Sequence, residues 1–214
     1  MSDLDLLEHQ LRPSGAEPEG ALVLMHGRGA DEFDLLPLLD ALDPGRRLVG
    51  IVPRAPLTLA PGGFHWYRSR RVGYPDSETF LAAYSTLERF TAALPSALGV
   101  PWSQIVIGGF SMGAVMSYAL ALGSARPAPA GLLAFSGFIP TVEGCELEWS
   151  SSRGLQVAIG HGTRDPVIPV EFGREARRAL EQAGARVLYR ESPMVHAIDP
   201  LFVRVLQGWL SEVV

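Results

Sequence analysis

The sequence predicts an α/β fold with a mostly parallel central sheet and helices on both faces. Short apolar runs typical of buried strands alternate along the chain with amphipathic segments typical of helices. With 214 residues, of which 47% are hydrophobic and 19% charged, the chain has an ordinary globular balance and the length of one domain, residues 1–214. The 23 glycines and 17 prolines predict sharp turns between short elements.

The predicted strands are mostly apolar throughout, as expected of parallel strands that are covered on both faces. They are an edge strand over Leu4–Leu11, then Ala21–Met25, Leu48–Val52, Ile105–Ile107, Leu132–Phe135, Leu155–Ile159 and Val187–Arg190. Apolar residues three and four positions apart predict the helices Asp31–Leu42, Met112–Leu122, Val170–Ala183 and Pro200–Leu210, and a further helix for which Ser77 can be the N-cap. Long loops are expected over Arg54–Asp76 and Thr141–Gly154.

A long stretch without charged residues, between Arg89 and Arg126, could be mistaken for a membrane span. Pro95 and Pro101 interrupt it, so it is interpreted as a helix end, a turn, a buried strand and a buried helix. The acidic segment Met1–Asp5 lacks the basic flank and apolar core of a secretion signal. We therefore expect a cytoplasmic protein without a transmembrane segment.

Composition excludes several classes of function. All 18 basic residues are arginine, so Schiff-base chemistry and the phosphate-binding P-loop, which need lysine, are excluded. The net charge of −5 argues against nucleic acid as a partner. The lone Cys145 cannot form an internal disulfide, and no pair of Cys or His residues has metal-ligand spacing. We expect neither a metal nor another cofactor.

The segment Gly109–Gly113, with the sequence GFSMG, matches the G-x-S-x-G pattern of a nucleophile elbow. An apolar strand precedes it and an apolar helix follows. A strand that reverses into a helix at one residue leaves Ser111 strained, with its hydroxyl pointing outward, and glycines on either side avoid a collision. The alternative is a glycine-rich turn with an incidental serine. The flanking strand and helix favour Ser111 as a nucleophile.

A serine nucleophile needs a histidine base and a carboxylate that orients the base. After an elbow the usual chain order is serine, acid, histidine. Asp165 and His196 each follow a predicted strand, so both can converge on Ser111. Taken singly, Asp165 could belong to an Asp-Pro turn and His196 to a surface loop. His161 precedes Asp165 and is interpreted as a packing or loop-bracing residue.

Acyl transfer also needs N–H donors for the negatively charged oxygen of the intermediate, the oxyanion. The expected donors are the backbone N–H groups of Met112, directly after the nucleophile, and of Arg28, in the loop after Ala21–Met25. Gly27-Arg28-Gly29 also begins a dinucleotide-binding fingerprint. Glu32 occupies the position of its third glycine, which argues against nucleotide binding.

Four segments together resemble the phospholipase/carboxylesterase family of small α/β-hydrolases, which includes bacterial carboxylesterases and acyl-protein thioesterases. They are Leu24–Gly29 (LMHGRG), Gly109–Gly113 (GFSMG), His161–Pro169 (HGTRDPVIP) and Val195–His196. The resemblance implies the α/β-hydrolase fold and hydrolysis of carboxylic esters, thioesters or lysophospholipids without a cofactor. It also implies Ser111, Asp165 and His196 as catalytic residues, with Arg28 and Met112 as the oxyanion donors.

The substrate pocket is expected to be open. Larger α/β-hydrolases often insert a cap domain after the strand that here ends at Phe135, whereas this sequence predicts only a loop there. Phe64 and Trp66 of the Arg54–Asp76 loop, together with Val167, would form the pocket walls. The alternative for the two aromatic residues is packing within the loop. Nearby, Arg68, Arg70 and Arg71 either face the site or form a solvated charged run.

Three functions remain open at this point. The first is a serine hydrolase that acts on a small-molecule acyl ester. The second is an acyltransferase that uses the same three residues, and the third is a non-catalytic binding protein with this fold. The oligomeric state is also open, with a homodimer among the alternatives.

Overall fold

The computed structural model describes residues 3–123 and 127–214. In chain order the strands are β1 (His9–Arg12), β2 (Gly20–Met25), β3 (Leu48–Pro53), β4 (Leu57–Thr58), β5 (Phe64–His65), β6 (Ser69–Arg71), β7 (Tyr74–Pro75), β8 (Ile105–Phe110), β9 (Gly131–Phe135), β10 (Gln156–Gly162) and β11 (Arg186–Ser192). The helices are α1 (Leu36–Leu42), α2 (Ser77–Leu98), α3 (Met112–Leu122), α4 (Val170–Gln182) and α5 (Pro200–Val213).

The centre of the molecule is a seven-stranded sheet in the order β1-β3-β2-β8-β9-β10-β11. Only β1 is antiparallel to its neighbour; the other adjacent strands run parallel. Alternate residues of β2 enter different cores: Leu22 and Leu24 pack with α1 and α5, whereas Val23 and Met25 pack with α2 and α3. Helix α4 shares the α2–α3 face, over β9 and β10. The predicted parallel sheet with helices on both faces is confirmed.

The N-terminal prediction was wrong in part, because the expected edge strand Leu4–Leu11 is not continuous. A 3₁₀ helix occupies Asp3–Leu6, and only His9–Arg12 forms a strand, which pairs with β3. Leu7 lies between the two elements and is buried in the core. The change from a 3₁₀ helix to a strand explains why apolar residues do not alternate regularly in this segment.

Two helix starts also differ from the prediction. Helix α1 begins at Leu36 rather than Asp31, because Pro37 has no N–H to donate and is best accommodated in the first turn. Phe33, which falls within the predicted helix Asp31–Leu42, lies outside α1 and is 53% exposed. The cap of α2 is Asp76 rather than Ser77: the Asp76 carboxylate accepts the Thr79 N–H at 3.0 Å.

The segment expected to be a loop over Arg54–Asp76 contains two short hairpins, β4–β5 and β6–β7. Strands of two or three residues are too short to show a periodicity in the sequence. Between β9 and β10 every residue is described, and the segment is loop apart from a 3₁₀ turn at Trp149–Ser152 and an isolated β-bridge from Leu147 to Gly123. The absence of a cap domain is therefore confirmed.

The charge-free stretch forms the end of α2, then β8 and α3. The sequence suggested that Pro95 ends its helix, but α2 continues past Pro95 to Leu98. Pro95 lies one turn before Gly99, which closes the helix in a left-handed conformation, so only hydrogen bonding near the helix end is disturbed. Across residues 3–123 and 127–214, no helix is long and apolar enough to cross a membrane.

Candidate active site

Ser111 occupies a single-residue bend between β8 and α3. Its backbone angles, φ 55° and ψ −119°, are strained for any residue except glycine. Position 113 has room only for glycine, because a Cβ atom there would lie 1.9 Å from the Met25 carbonyl oxygen. A Cβ on Gly109 would lie 2.5 Å from the Gly113 carbonyl carbon. The glycine pattern therefore reflects both the bend itself and the close approach of β2.

The structure brings together the three residues predicted to be catalytic. The Nε2 atom of His196 lies 2.9 Å from the Ser111 hydroxyl oxygen, and its Nδ1 atom lies 2.6 Å from an Asp165 carboxylate oxygen. These residues follow β8, β10 and β11, three parallel strands whose carboxyl ends meet at one edge of the sheet. Asp165 is buried, whereas the side chain of His196 is 16% exposed.

Asp165 remains ionised although it is buried. Burial alone would raise its pKa, but hydrogen bonds from His196 and from the N–H groups of Ile168 and Val167 outweigh burial and hold the pKa below its usual range. The two N–H groups lie 2.9 and 2.8 Å from the second carboxylate oxygen. An ionised Asp165 favours the imidazole tautomer with its proton on Nδ1. The Nε2 atom is then free to accept the Ser111 proton.

His161 braces the loop that carries Asp165, as its sequence position suggested. It is buried, and its Nε2 atom lies 2.8 Å from the Ile168 carbonyl oxygen and 3.8 Å from an Asp165 oxygen. Burial lowers the pKa of His161, which favours the neutral ring. A neutral His161 can donate its Nε2 proton to Ile168 and thereby fix the turn that presents two N–H groups to Asp165.

The loop that carries His196 is held by Asp199, which the sequence analysis missed. One Asp199 oxygen accepts hydrogen bonds from Arg190 at 2.8 Å and from the Ser192 hydroxyl at 2.5 Å. Its other oxygen caps α5 at the Leu201 N–H, 2.8 Å away. The Asp-Pro pair at the start of α5 was a signal for this cap. Asp199 thus joins the end of β11 to the first turn of α5 across the His196 loop.

Both predicted oxyanion donors, Arg28 and Met112, line the cavity that contains Ser111. Met112 is the first residue of α3, so its N–H also lies at the positive end of the helix dipole. The loop with Arg28 is tied to strand β5. Gly29 donates its N–H to the Phe64 carbonyl, and Phe64 donates its N–H to the Ala30 carbonyl, both at 2.8 Å.

Trp66 does not form a wall of the cavity, which corrects the sequence expectation. It is fully buried, and its indole N–H donates to the His26 carbonyl oxygen at 2.9 Å. A buried indole N–H needs an acceptor, and here the acceptor lies at the base of the Arg28 loop. Trp66 therefore stabilises the Arg28 loop through its hydrogen bond to His26.

His26 supports the same loop, a role that was not predicted from the sequence. The ring is fully buried; its Nδ1 lies 2.7 Å from the Gly27 carbonyl oxygen, and its Nε2 accepts the Ala55 N–H at 3.0 Å. Because Nε2 accepts, the proton of the neutral ring is on Nδ1. Burial lowers the pKa of His26, in agreement with a neutral ring.

Glu32, which occupies the third-glycine position of the dinucleotide fingerprint, is buried and forms an ion pair with the partly exposed Arg54. One of its oxygens lies 2.6 Å from the Nε of Arg54, and the other also accepts from the Arg54 guanidinium. These hydrogen bonds lower the pKa of Glu32. The Arg54 guanidinium stacks over the Phe64 ring, 4.7 Å from its centroid. Phe64, like Trp66, is thus occupied in bracing the loop and does not line the cavity.

The cavity beside Ser111 has a volume of about 260 Å³. Val167 lines it, as predicted, and is 49% exposed. The other apolar or aromatic lining residues are Tyr67, Val72, Met112, Phe138 and Ile168. Among the described residues, no group of three or more His, Cys, Asp or Glu side chains could hold a metal ion.

The chain is similar to known proteins along most of its length. Residues 9–214 match the family model described as Phospholipase/Carboxylesterase. Acyl-protein thioesterase 1 of Candida albicans is 28% identical, covering 82% of this chain and 83% of that protein. Acyl-protein thioesterase 1 of Mycosarcoma maydis is 26% identical and covers 94% of both. The Bacillus cereus carboxylesterase structure has a TM-score of 0.83 over 100% of both chains, and at 23% identity it supports the fold alone.

Proposed function

Since the chain belongs to the phospholipase/carboxylesterase family, and is therefore a hydrolase of ester or thioester bonds, we propose that it cleaves carboxylic esters through an acyl-enzyme on Ser111. The observation that carries the proposal is the unbroken hydrogen-bond chain from Asp165 through His196 to Ser111, with steps of 2.6 and 2.9 Å. A serine, a histidine and a buried carboxylate in this order form an activated nucleophile.

The first half-reaction forms the acyl-enzyme. Nε2 of His196 takes the hydroxyl proton of Ser111 while the serine oxygen attacks the acyl carbonyl carbon. The backbone N–H groups of Met112 and Arg28 stabilise the oxyanion that results. His196 then gives its proton to the leaving oxygen, or to the leaving sulfur of a thioester, as the bond from the carbonyl carbon to that atom breaks.

The second half-reaction releases the acid. His196 takes a proton from a water molecule as the water oxygen attacks the acyl carbon, and the same two N–H groups stabilise the second oxyanion. The intermediate collapses, the bond from the acyl carbon to the Ser111 oxygen breaks, and His196 returns its proton to that oxygen. Asp165 stays ionised throughout; it fixes the tautomer of His196 and stabilises the imidazolium.

The proposal is tested by measuring kcat/KM for a series of aryl esters and acyl thioesters with the wild-type chain and with Ser111→Ala. We expect the substitution to lower kcat by about 10⁴- to 10⁶-fold for every substrate, because it removes the nucleophile. Ser103→Ala is the matched control, since Ser103 is exposed and lies before β8, at the opposite end of the strand from Ser111. Retention of wild-type turnover in Ser111→Ala would overturn the proposal.

A further inference from the structure

The cavity beside Ser111 has two chemically different sides. Apolar side chains, including Met112 and Phe138, form one part of its lining. Arg28, Arg70 and Arg71 form another part, and all three are exposed at the surface. Arg70 and Arg71 belong to β6, so the β6–β7 hairpin presents both of them to the cavity.

These three arginines have no ion-pair partner in the part of the chain that the structure describes. In that part of the chain, no carboxylate oxygen lies within 4.0 Å of a guanidinium nitrogen of Arg28, Arg70 or Arg71. Many other arginines of the chain do pair: Arg12, Arg46, Arg47, Arg54, Arg89, Arg174, Arg177 and Arg190. The cavity rim therefore keeps its positive charge available to a ligand, in a chain whose net charge is −5.

The surroundings of the hairpin restrain Arg71 and leave Arg70 without an ion pair. The guanidinium of Arg71 stacks on the Tyr74 ring, 3.6 Å from its centroid, which restricts its side chain. The carboxylate of Asp76 is close enough to Arg68 and Arg70 to sense their charge, but it mainly accepts hydrogen bonds from Thr79 as the cap of α2. Asp76 lines a neighbouring cavity rather than the one that contains Ser111.

We propose that the natural substrate carries an anionic oxygen group, a carboxylate or a phosphate, which Arg70 and Arg71 bind together with Arg28 while the ester carbonyl lies at Ser111. This inference rests on the proposed function and names the substrate class of the same site. A guanidinium offers paired N–H donors that match the two oxygens of such a group. The unpaired charges also attract anionic substrates from solution and raise the rate of encounter.

The test compares substrate pairs that differ in charge. The first pair is the 4-nitrophenyl half-ester of adipic acid against 4-nitrophenyl hexanoate, which places the anion on the acyl side. In the second pair, 4-acetoxybenzoate against its methyl ester, the carboxylate is on the alcohol side. In a third comparison, 4-acetoxyphenyl phosphate is the anionic substrate, and the neutral substrate is again the methyl ester of 4-acetoxybenzoate. Each ratio of kcat/KM, anionic over neutral, is measured for the wild type and for the double variant Arg70→Gln/Arg71→Gln.

We expect at least one ratio to fall by about tenfold in the double variant, since an exposed charge pair contributes roughly two- to fivefold per arginine. The pair that responds identifies the side and the kind of anion. The wild-type ratio should also fall as NaCl is raised from 0.05 to 1 M, because the screening length shrinks to about 3 Å. Ratios that change neither with salt nor in the double variant would overturn the inference.

Two controls separate charge from folding. Arg68→Gln removes an exposed arginine that lines only the neighbouring cavity, so the ratio should remain at its wild-type value. Arg70→Lys/Arg71→Lys keeps both charges but loses the paired N–H donors, so its ratio should lie between those of the wild type and the Gln double variant. Ser111→Ala is assayed with the same substrates. If it retains turnover, the proposed function itself fails; if it is inactive while the ratios do not respond, only the substrate assignment fails.

Discussion

At the scale of single residues, Ser111 combines the proposed chemistry with a stability cost. Its φ of 55° lies in a region that residues other than glycine rarely adopt. Holding a residue there costs about 1–3 kcal/mol of stability. The strain is held in place by the Ser111 N–H, which donates to the Phe135 carbonyl at 2.9 Å, and by the Ser111 carbonyl, which accepts from Val115 at 3.2 Å. The bend therefore persists whatever side chain occupies it.

This strain predicts a difference between two inactive variants. Ser111→Gly should increase the free energy of unfolding by about 1 kcal/mol relative to Ser111→Ala, because glycine adopts a positive φ without penalty. Chemical denaturation of both variants measures the difference. Equal stability of the two variants would show that the bend at Ser111 is not strained.

A second residue-scale prediction concerns Asp165. Asp165→Asn removes the negative charge and favours the wrong tautomer of His196, so we expect kcat to fall by about 10⁴-fold. Because the folded-state pKa of Asp165 is lowered, its ionisation stabilises the fold above the unfolded pKa of about 3.9, and this contribution is lost as the pH falls through the folded pKa.

Both effects of Asp165→Asn can be measured. Steady-state turnover gives the loss of activity, and urea unfolding at pH 7 and pH 3 gives the loss of stability. The stability gap between the wild type and the variant should shrink at the lower pH. A variant with more than a tenth of wild-type kcat would contradict the orienting role of Asp165.

At the scale of elements, the Arg28 loop is a separately braced unit. His26 and Trp66 fasten its base, strand β5 pairs with its backbone, and the Glu32–Arg54 ion pair holds the start of the next turn. None of these contacts involves a residue that lines the cavity beside Ser111. Changes in the bracing contacts should therefore alter catalysis without altering the choice of acyl group.

Trp66 provides the test of that expectation. Trp66→Phe removes the hydrogen bond to His26 and should lower kcat/KM by a similar factor for acetate and for longer acyl esters. Val167→Ala truncates a residue that does line the cavity and should lower kcat/KM more for the longer esters, by up to about 0.8 kcal/mol per lost methylene contact. A Trp66→Phe loss that grows with acyl length would restore Trp66 as a wall.

The Glu32–Arg54 pair predicts a pH-dependent stability. Glu32→Gln should lower the free energy of unfolding by about 1–2 kcal/mol at pH 7, since the buried side chain loses charged hydrogen bonds while Arg54 keeps partial access to water. The folded-state pKa of Glu32 is lowered, so the contribution is present above the unfolded pKa of about 4.3 and is lost as the pH falls through the folded value.

Denaturant unfolding of the wild type and Glu32→Gln between pH 3 and pH 7 measures this contribution. Glu17→Gln serves as a control acid, because Glu17 is exposed and no side-chain hydrogen bond or ion pair of it is seen in the described chain. A gap between the wild type and Glu32→Gln that stays constant over this pH range would contradict the ion-pair account.

At the scale of the whole molecule, the alternation of strands and helices made the sheet and the meeting of Ser111, Asp165 and His196 predictable. Each follows a strand, and parallel strands end at one edge. The bracing role of Trp66 was not predictable. Its burial depends on how residues 54–76 fold into two short hairpins, and such short strands leave no periodic pattern in the sequence. For the same reason Asp199 was missed, since its partners Arg190 and Ser192 are reached only across a turn.

The central claim is that the whole arrangement serves one nucleophile, Ser111. The most direct measurement is to inactivate the protein with a fluorophosphonate, which reacts with activated serine hydroxyls, and to map the modified residue by mass spectrometry. We predict one adduct per chain, on the peptide that contains Ser111, with esterase turnover lost in proportion to labelling. Inactivation through an adduct at another serine, or full turnover after complete labelling of Ser111, would contradict the account.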